Sequence, residues 1–140
     1  VIFAAQMRIG SLEIVAALVA VALIGARPRA YNASESGSLA PIKAILRVIE
    51  FGRERSFSGL CPLTIGRDRS AELLLTDPEV SRRHARLEAR GGVVYVRDLE
   101  SSNGTFLNGK RLRGAIETRE GDAIDIGTTR MIVEHLQPWT

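Results

Sequence analysis

The chain has 140 residues, with 19 Lys and Arg against 16 Asp and Glu and a formal net charge of +3. That length holds one domain and is too short for two sizeable ones. The basic residues are scattered among acidic ones, with no basic stripe and few aromatics, which excludes an extended nucleic-acid surface and leaves room for one anion-binding patch.

The first thirty residues differ from the rest. Ile14–Ala26 carries no charge, and Glu13 is the one charge between Ile9 and Ala26. The pattern predicts a hydrophobic helix over residues 1–30, for which three readings stand. A membrane anchor wants roughly 20 residues; the uncharged run is short for that, but counting from Ile9 gives enough length, with Glu13 near an end where it can reach the interface. Arg27 and Arg29 outnumber Arg8, so such an anchor would leave the following domain on the cytoplasmic, inner face of the membrane. A secretory signal fits the apolar run, but its basic start is thin and Arg27-Pro28-Arg29 disfavours cleavage. A soluble helix packed on a partner is the third. The chain opens on Val1, which reads as a fragment or an unusual start codon, with Met7 as an alternative start. Residues 31–42 are predicted as a linker, since Asn32, Ser34, Ser36, Gly37, Ser38 and Pro41 break any period.

From Lys43 onward the period is two, and residues 43–136 are predicted as the folded domain. Ala44, Leu46 and Val48 alternate with Ile45, Arg47 and Ile49, and Phe51-Gly52-Arg53 turns the chain. Glu54–Phe57 reads as a short strand closed by Ser58-Gly59. Leu60–Ile65 reads as the next, with Pro62 marking an edge or a start. Cys61 is the only cysteine, so no internal disulfide is available, and in this apolar setting it reads as a small core residue. Leu73-Leu74-Leu75 is short and apolar. Ala85, Leu87 and Ala89 alternate with His84, Arg86, Glu88 and Arg90, and Gly91-Gly92 turns into Val93–Leu99. Short strands follow at Lys110–Leu112, Ala115–Glu117, Ala123–Ile126 and Thr129–Leu136. Short strands with turns every eight to twelve residues, and no helical period, predict an all-β sandwich.

Asp98–Lys110 carries two Asn-Gly steps, Asn103-Gly104 and Asn108-Gly109, the strongest short turn signal because both residues tolerate positive φ. Loops from one end of a sandwich sit together in space. Gly66-Arg67, Ser81-Arg82-Arg83-His84 and Ser101–Thr105 are the polar loop groups. Arg67, Arg82 and Arg83 would bring guanidinium forks, and Ser81 and Ser102 hydroxyls, a mixture suited to a phosphate dianion. His84 reads as a structural histidine. No spacing among Asp77, Asp98, Asp122, Asp125, His84 and His135 suits a catalytic carboxylate pair or a metal site, so no enzyme, metal or cofactor is expected.

Three separated motifs, I-G-R at Ile65–Arg67, S-R-R-H at Ser81–His84 and S-S-N-G-T-F-L-N-G at Ser101–Gly109, together resemble the forkhead-associated (FHA) family in its bacterial form. The first strand and G-D-A-I-D-I-G at Gly121–Gly127 resemble it too, and the likeness covers about residues 43–136. It implies a sandwich of about eleven strands that binds phosphothreonine. On that resemblance, Arg67, Ser81, Arg82, Ser102 and Asn103 would contact the phosphopeptide, Asn103 through the ligand's main chain. Gly66, His84, Gly104, Thr105, Asn108 and Gly109 would support the site, and Arg83 fills a variable position that would sense peptide charge. The implied partner is a phosphothreonine-containing protein, a Ser/Thr kinase or its substrate, with membrane association through the N-terminal segment. An adaptor that binds partners without phosphate is the alternative.

Overall fold

The computed structural model describes residues 40–139. The predicted N-terminal helix, and the anchor reading that depends on it, lie outside the described residues. Among the described residues no helix is long and apolar enough to cross a membrane.

The described residues form eleven strands in two sheets. They are β1 (Ile42–Glu50), β2 (Arg53–Leu60), β3 (Leu63–Gly66), β4 (Leu73–Leu74), β5 (Ala85–Arg90), β6 (Val93–Asp98), β7 (Thr105–Leu107), β8 (Lys110–Arg111), β9 (Ile116–Thr118), β10 (Ala123–Ile126) and β11 (Thr129–Pro138). One sheet has the order β2-β1-β11-β10-β7-β8, the other β4-β3-β5-β6-β9. The alternation read in β1 is what buries it. Ala44, Leu46 and Val48 are fully enclosed and meet Ile124, Ile126, Met131 and Val133 of the same sheet, while Leu63, Ile65, Leu73, Leu87, Val94 and Val96 close the core from the other.

The chain changes sheets at Cys61-Pro62, and this corrects two expectations. Ser58-Gly59 does not close a strand: β2 runs on through it, with Ser58 opposite Ile45 and Gly59 opposite Ala44. Leu60 and Leu63–Ile65 are not one strand either, because Leu60 ends β2 in one sheet and Leu63 starts β3 in the other. Pro62 has no N–H to offer a ladder, so pairing stops there. Cys61 is buried as expected, its N–H bonded to Ile42 O at 2.8 Å, and burial pushes its thiol up to about 11.

The register fixes which loops share an end. Ile65 pairs with Ala85, and Ala85 with Asp98. In the other sheet Thr105 pairs with Ile126, and Ile126 with Thr129. The loops β3–β4, β4–β5, β6–β7 and β10–β11 therefore emerge together.

Candidate phosphate-binding loop cluster

The β4–β5 loop is laid against the end of β3 by its backbone. The N–H groups of Arg67, Asp68 and His84 donate to Ser81 O, Arg82 O and Ile65 O at 3.1, 3.0 and 2.9 Å. This approach is possible only because residue 66 is glycine. A Cβ there would stand 2.1 Å from Arg82 O and 2.8 Å from the carbonyl carbon behind it. Arg67 adds a side-chain bond, its Nε donating to Val80 O at 3.0 Å. One edge of the guanidinium is thus fixed, and both terminal amino groups carry no hydrogen bond among the described residues. Arg82 and Arg83 are exposed beside it.

His84 joins this loop to the β6–β7 loop from inside. It is fully buried, because it precedes β5 and points under the loops. Its Nδ1 accepts from Ser81 N–H at 3.0 Å and its Nε2 donates to Gly104 O at 2.8 Å. Those two partners define the neutral Nε2-protonated tautomer. Asp98 Oδ1 is farther from Nε2, at 3.9 Å.

Asp98 shapes the β6–β7 loop. Its carboxylate accepts from Ser101 N–H and from the hydroxyls of Ser101 and Thr105. Burial alone would raise its pKa, but the hydrogen bonds from Ser101 and Thr105 outweigh it and hold the carboxyl below the usual range. Ser101 Oγ then accepts from Gly104 N–H at 2.9 Å. The two Asn-Gly steps differ in kind. Asn108 and Gly109, at φ +50° and +83°, make the two-residue turn between β7 and β8. Asn108 also bonds Asp122 and Ala123, tying that hairpin to β10. At the first step Gly104 has positive φ and Asn103 does not; Glu100 is left-handed instead, at φ +55°. Asn103 does not turn the chain on itself. Its amide reaches across to the β4–β5 loop, where Nδ2 donates to Glu79 O at 2.8 Å and Glu79 Oε2 at 3.1 Å. Ser81 and Ser102 also meet across the two loops. Ser102 N–H donates to Ser81 Oγ at 3.1 Å, leaving that hydroxyl's own hydrogen for another acceptor.

Two supports escaped the sequence reading. Asp77 is completely buried, and its carboxylate accepts from Glu79 N–H (2.9 Å), Thr128 N–H (2.8 Å), Thr128 Oγ1 (2.7 Å) and Thr129 Oγ1 (3.0 Å). Desolvation pushes its pKa up and these bonds pull it down further, so it lies below the usual range. It fixes the β4–β5 loop to the β10–β11 turn, where Gly127 leaves room that a Cβ, 2.8 Å from Glu79 Cβ, would take. Arg111 is the second, its guanidinium filling the space beside Gly104, where a Cβ would stand 3.0 Å from Nε. Neither was legible, since Asp77 and Thr128 lie 51 residues apart and Arg111 follows a turn rather than standing in the motif.

The cluster gathers guanidinium groups, a serine hydroxyl with a proton to donate, and loops locked by buried hydrogen bonds. That chemistry suits a phosphate monoester, with Arg forks for its charge and hydroxyl or amide donors for its remaining oxygens. An apolar concavity of about 410 Å³ between Ile42, Val94, Thr118 and Leu136 lies at the far strand ends, and the guanidinium on its rim, Arg119, is paired with Glu117. Among the described residues no group of His, Cys, Asp and Glu is placed to hold a metal ion.

A family model for the FHA domain matches residues 63–127. FHA domain-containing protein FhaB of Mycolicibacterium smegmatis is 44% identical over 68 residues, covering 49% of this chain and 44% of that protein, so the chain spans less than half the length of this curated relative. A solved FHA domain studied for its phosphothreonine-dependent interactions is 30% identical, with a TM-score of 0.60, over 71% of this chain and 99% of that one. Mycobacterium tuberculosis EmbR, solved in complex with a low-affinity phosphopeptide, is 27% identical with a TM-score of 0.59, over 65% of this chain and 24% of that one.

Proposed function

This chain belongs to the FHA-domain family, and on that premise we propose that it is a non-enzymatic module that binds a phosphothreonine-bearing partner at the loop cluster. The observation that carries the reading is the joint arrangement of Arg67 and Ser81: the first has one guanidinium edge fixed on Val80 O, the second has its hydroxyl oxygen occupied by Ser102 N–H. Both are held with donors to spare. Arg67 takes the phosphate charge, Ser81 and Arg82 take further phosphate oxygens, and Ser102 flanks them. Asn103 serves the ligand's main chain through its amide, whose Nδ2 is presently shared with Glu79. Gly66, His84, Gly104, Thr105, Asn108 and Gly109 hold the loops.

The partner is a Ser/Thr kinase or one of its substrates, and residues 43–136 are the binding domain. The apolar stretch in residues 1–30 tethers it to the inner face of the membrane through the linker at 31–42. Support for the tether is the uncharged run Ile14–Ala26 and the arginines that follow it. A degenerate peptide library presented as phosphothreonine, phosphoserine and unphosphorylated threonine tests the binding reading. Binding of the phosphothreonine set, weaker binding of the phosphoserine set and none of the third is expected. Equal binding of all three sets contradicts it. Membrane fractionation of the full chain against residues 43–140 tests the tether, which fails if both stay soluble.

A further inference from the structure

A groove of about 410 Å³ runs along the side of the sandwich, where the edge strands β8 and β9 of the two sheets meet. The chain crosses between the sheets here, through residues 112–115. The floor is apolar: Leu107 is buried, and Leu112 and Ile116 are half-buried and pack on the core. Leu112 is held in place by its N–H, which donates to Thr105 O at 2.8 Å. The rim is cationic. Lys110, Arg111 and Arg113 are exposed, and none has an ion pair or hydrogen bond among the described residues. No carboxylate lines the groove. The acidic side chains that follow in the chain are engaged: Glu117 accepts from Arg119 Nε at 3.2 Å, and Asp122 from Asn108 Nδ2 at 3.0 Å and Arg119 N–H at 2.8 Å. Arginines elsewhere on the sheets are neutralised in place, Arg47 by Glu134, Arg97 by Glu88 and Arg130 by Asp125. The groove thus joins recessed apolar surface to three uncompensated positive charges.

None of the residues lining the groove belongs to the loops that carry Arg67, Ser81 and Ser102. We propose that the groove is a separate protein-docking surface, which takes an unphosphorylated acidic segment presenting one large apolar side chain flanked by Asp or Glu. This surface is independent of the phosphothreonine reading. An aliphatic or aromatic side chain inserted over Leu112 and Ile116 leaves water, and the carboxylates beside it meet cations of complementary charge on the rim. A lipid bilayer is a poorer occupant, because a membrane-seated face carries protruding apolar side chains, and these are recessed behind the cations. Nucleic acid is poorer too, since no aromatic ring lines the groove for a base to stack on.

The test is calorimetry on the full chain with an unphosphorylated peptide library that sets a central Leu, Phe or Trp among Asp and Glu. Two control libraries replace the central residue by Ala, or the acidic residues by Lys. The first library is expected to bind at least about tenfold tighter than either control. The double variant Lys110→Glu, Arg113→Glu changes two exposed side chains, and it is expected to keep the wild-type melting temperature and lose about tenfold or more in binding. Arg111 is left in place because it also packs on Gly104. Arg67→Ala is expected to bind the acidic library as wild type does. The methyl resonances of Leu112 and Ile116 are expected to shift with the peptides. Phosphatidylglycerol vesicles are expected to bind wild type and the double variant alike. Equal binding of the three libraries, undiminished binding by the double variant, or unmoved Leu112 and Ile116 methyl resonances overturns the docking surface. Loss of binding in Arg67→Ala overturns it as well, by placing the acidic side chains in the phosphate cluster. Weaker vesicle binding by the double variant overturns the peptide occupant in favour of a lipid surface.

Discussion

His84 and Gly104 are bonded inside the fold, Nε2 donating to the glycine carbonyl at 2.8 Å. The other ring nitrogen accepts from Ser81 N–H at 3.0 Å. One buried imidazole therefore sets the distance between the loop carrying Ser81 and the loop carrying Ser102 and Asn103. The geometry of this loop cluster is set from inside the fold.

Replacing His84 by Ala removes both bonds, strands Ser81 N–H and Gly104 O, and opens a cavity. Stability is expected to fall by about 2–4 kcal/mol, and phosphopeptide affinity with it. Thermal melting and calorimetry on the same variant check this. An unchanged melting temperature would deny the bracing role.

Gly66→Ala forces a methyl into Arg82 O, an atom of the backbone that cannot swing aside. The β4–β5 loop must lift from β3, breaking the bonds to Arg67, Asp68 and His84 N–H. A loss of about 2–3 kcal/mol is expected, with phosphopeptide binding lost even where the variant remains folded. Binding as tight as wild type would show that the close approach does not matter.

Asp77 and Asp98 both have folded-state pKa values below the usual carboxylate range. Such groups stabilise the fold above the unfolded-state value of about 3.9, and that contribution is lost as pH falls through the depressed folded values. Stability is therefore expected to decline below about pH 4, and Asp77→Asn to weaken that decline while lowering stability at neutral pH. Denaturant midpoints measured across pH 2–7 check it; a variant with the wild-type acid slope would remove Asp77 from the account.

The alternation of Ala44, Leu46 and Val48 exposed the sandwich in the sequence, because a period of two leaves a mark on adjacent residues. Asn108-Gly109 announced its turn for the same local reason, with both residues at positive φ. Asn103 misled because a strong turn dipeptide served a cross-loop bond to Glu79 instead, 24 residues away. The run through Leu60–Ile65 misled because a change of sheet is a property of the assembled layers, signalled only by Pro62. Asp77 went unread because its partners Thr128 and Thr129 meet it only in the folded chain. The motif residues were legible, and the buried hydrogen bonds that position them were not.

The most direct measurement is a calorimetric titration of one phosphothreonine peptide selected from the library into wild type and Arg67→Ala, with thermal melts of both. Arg67 is exposed, and among the described residues its one side-chain bond is to Val80 O. The variant is therefore expected to melt within about 1 kcal/mol of wild type. It is also expected to lose binding at least about a hundredfold, the cost of removing a charge-assisted fork from a phosphate. Wild-type affinity retained by a folded Arg67→Ala protein would contradict the assignment of this loop cluster as the phosphate site.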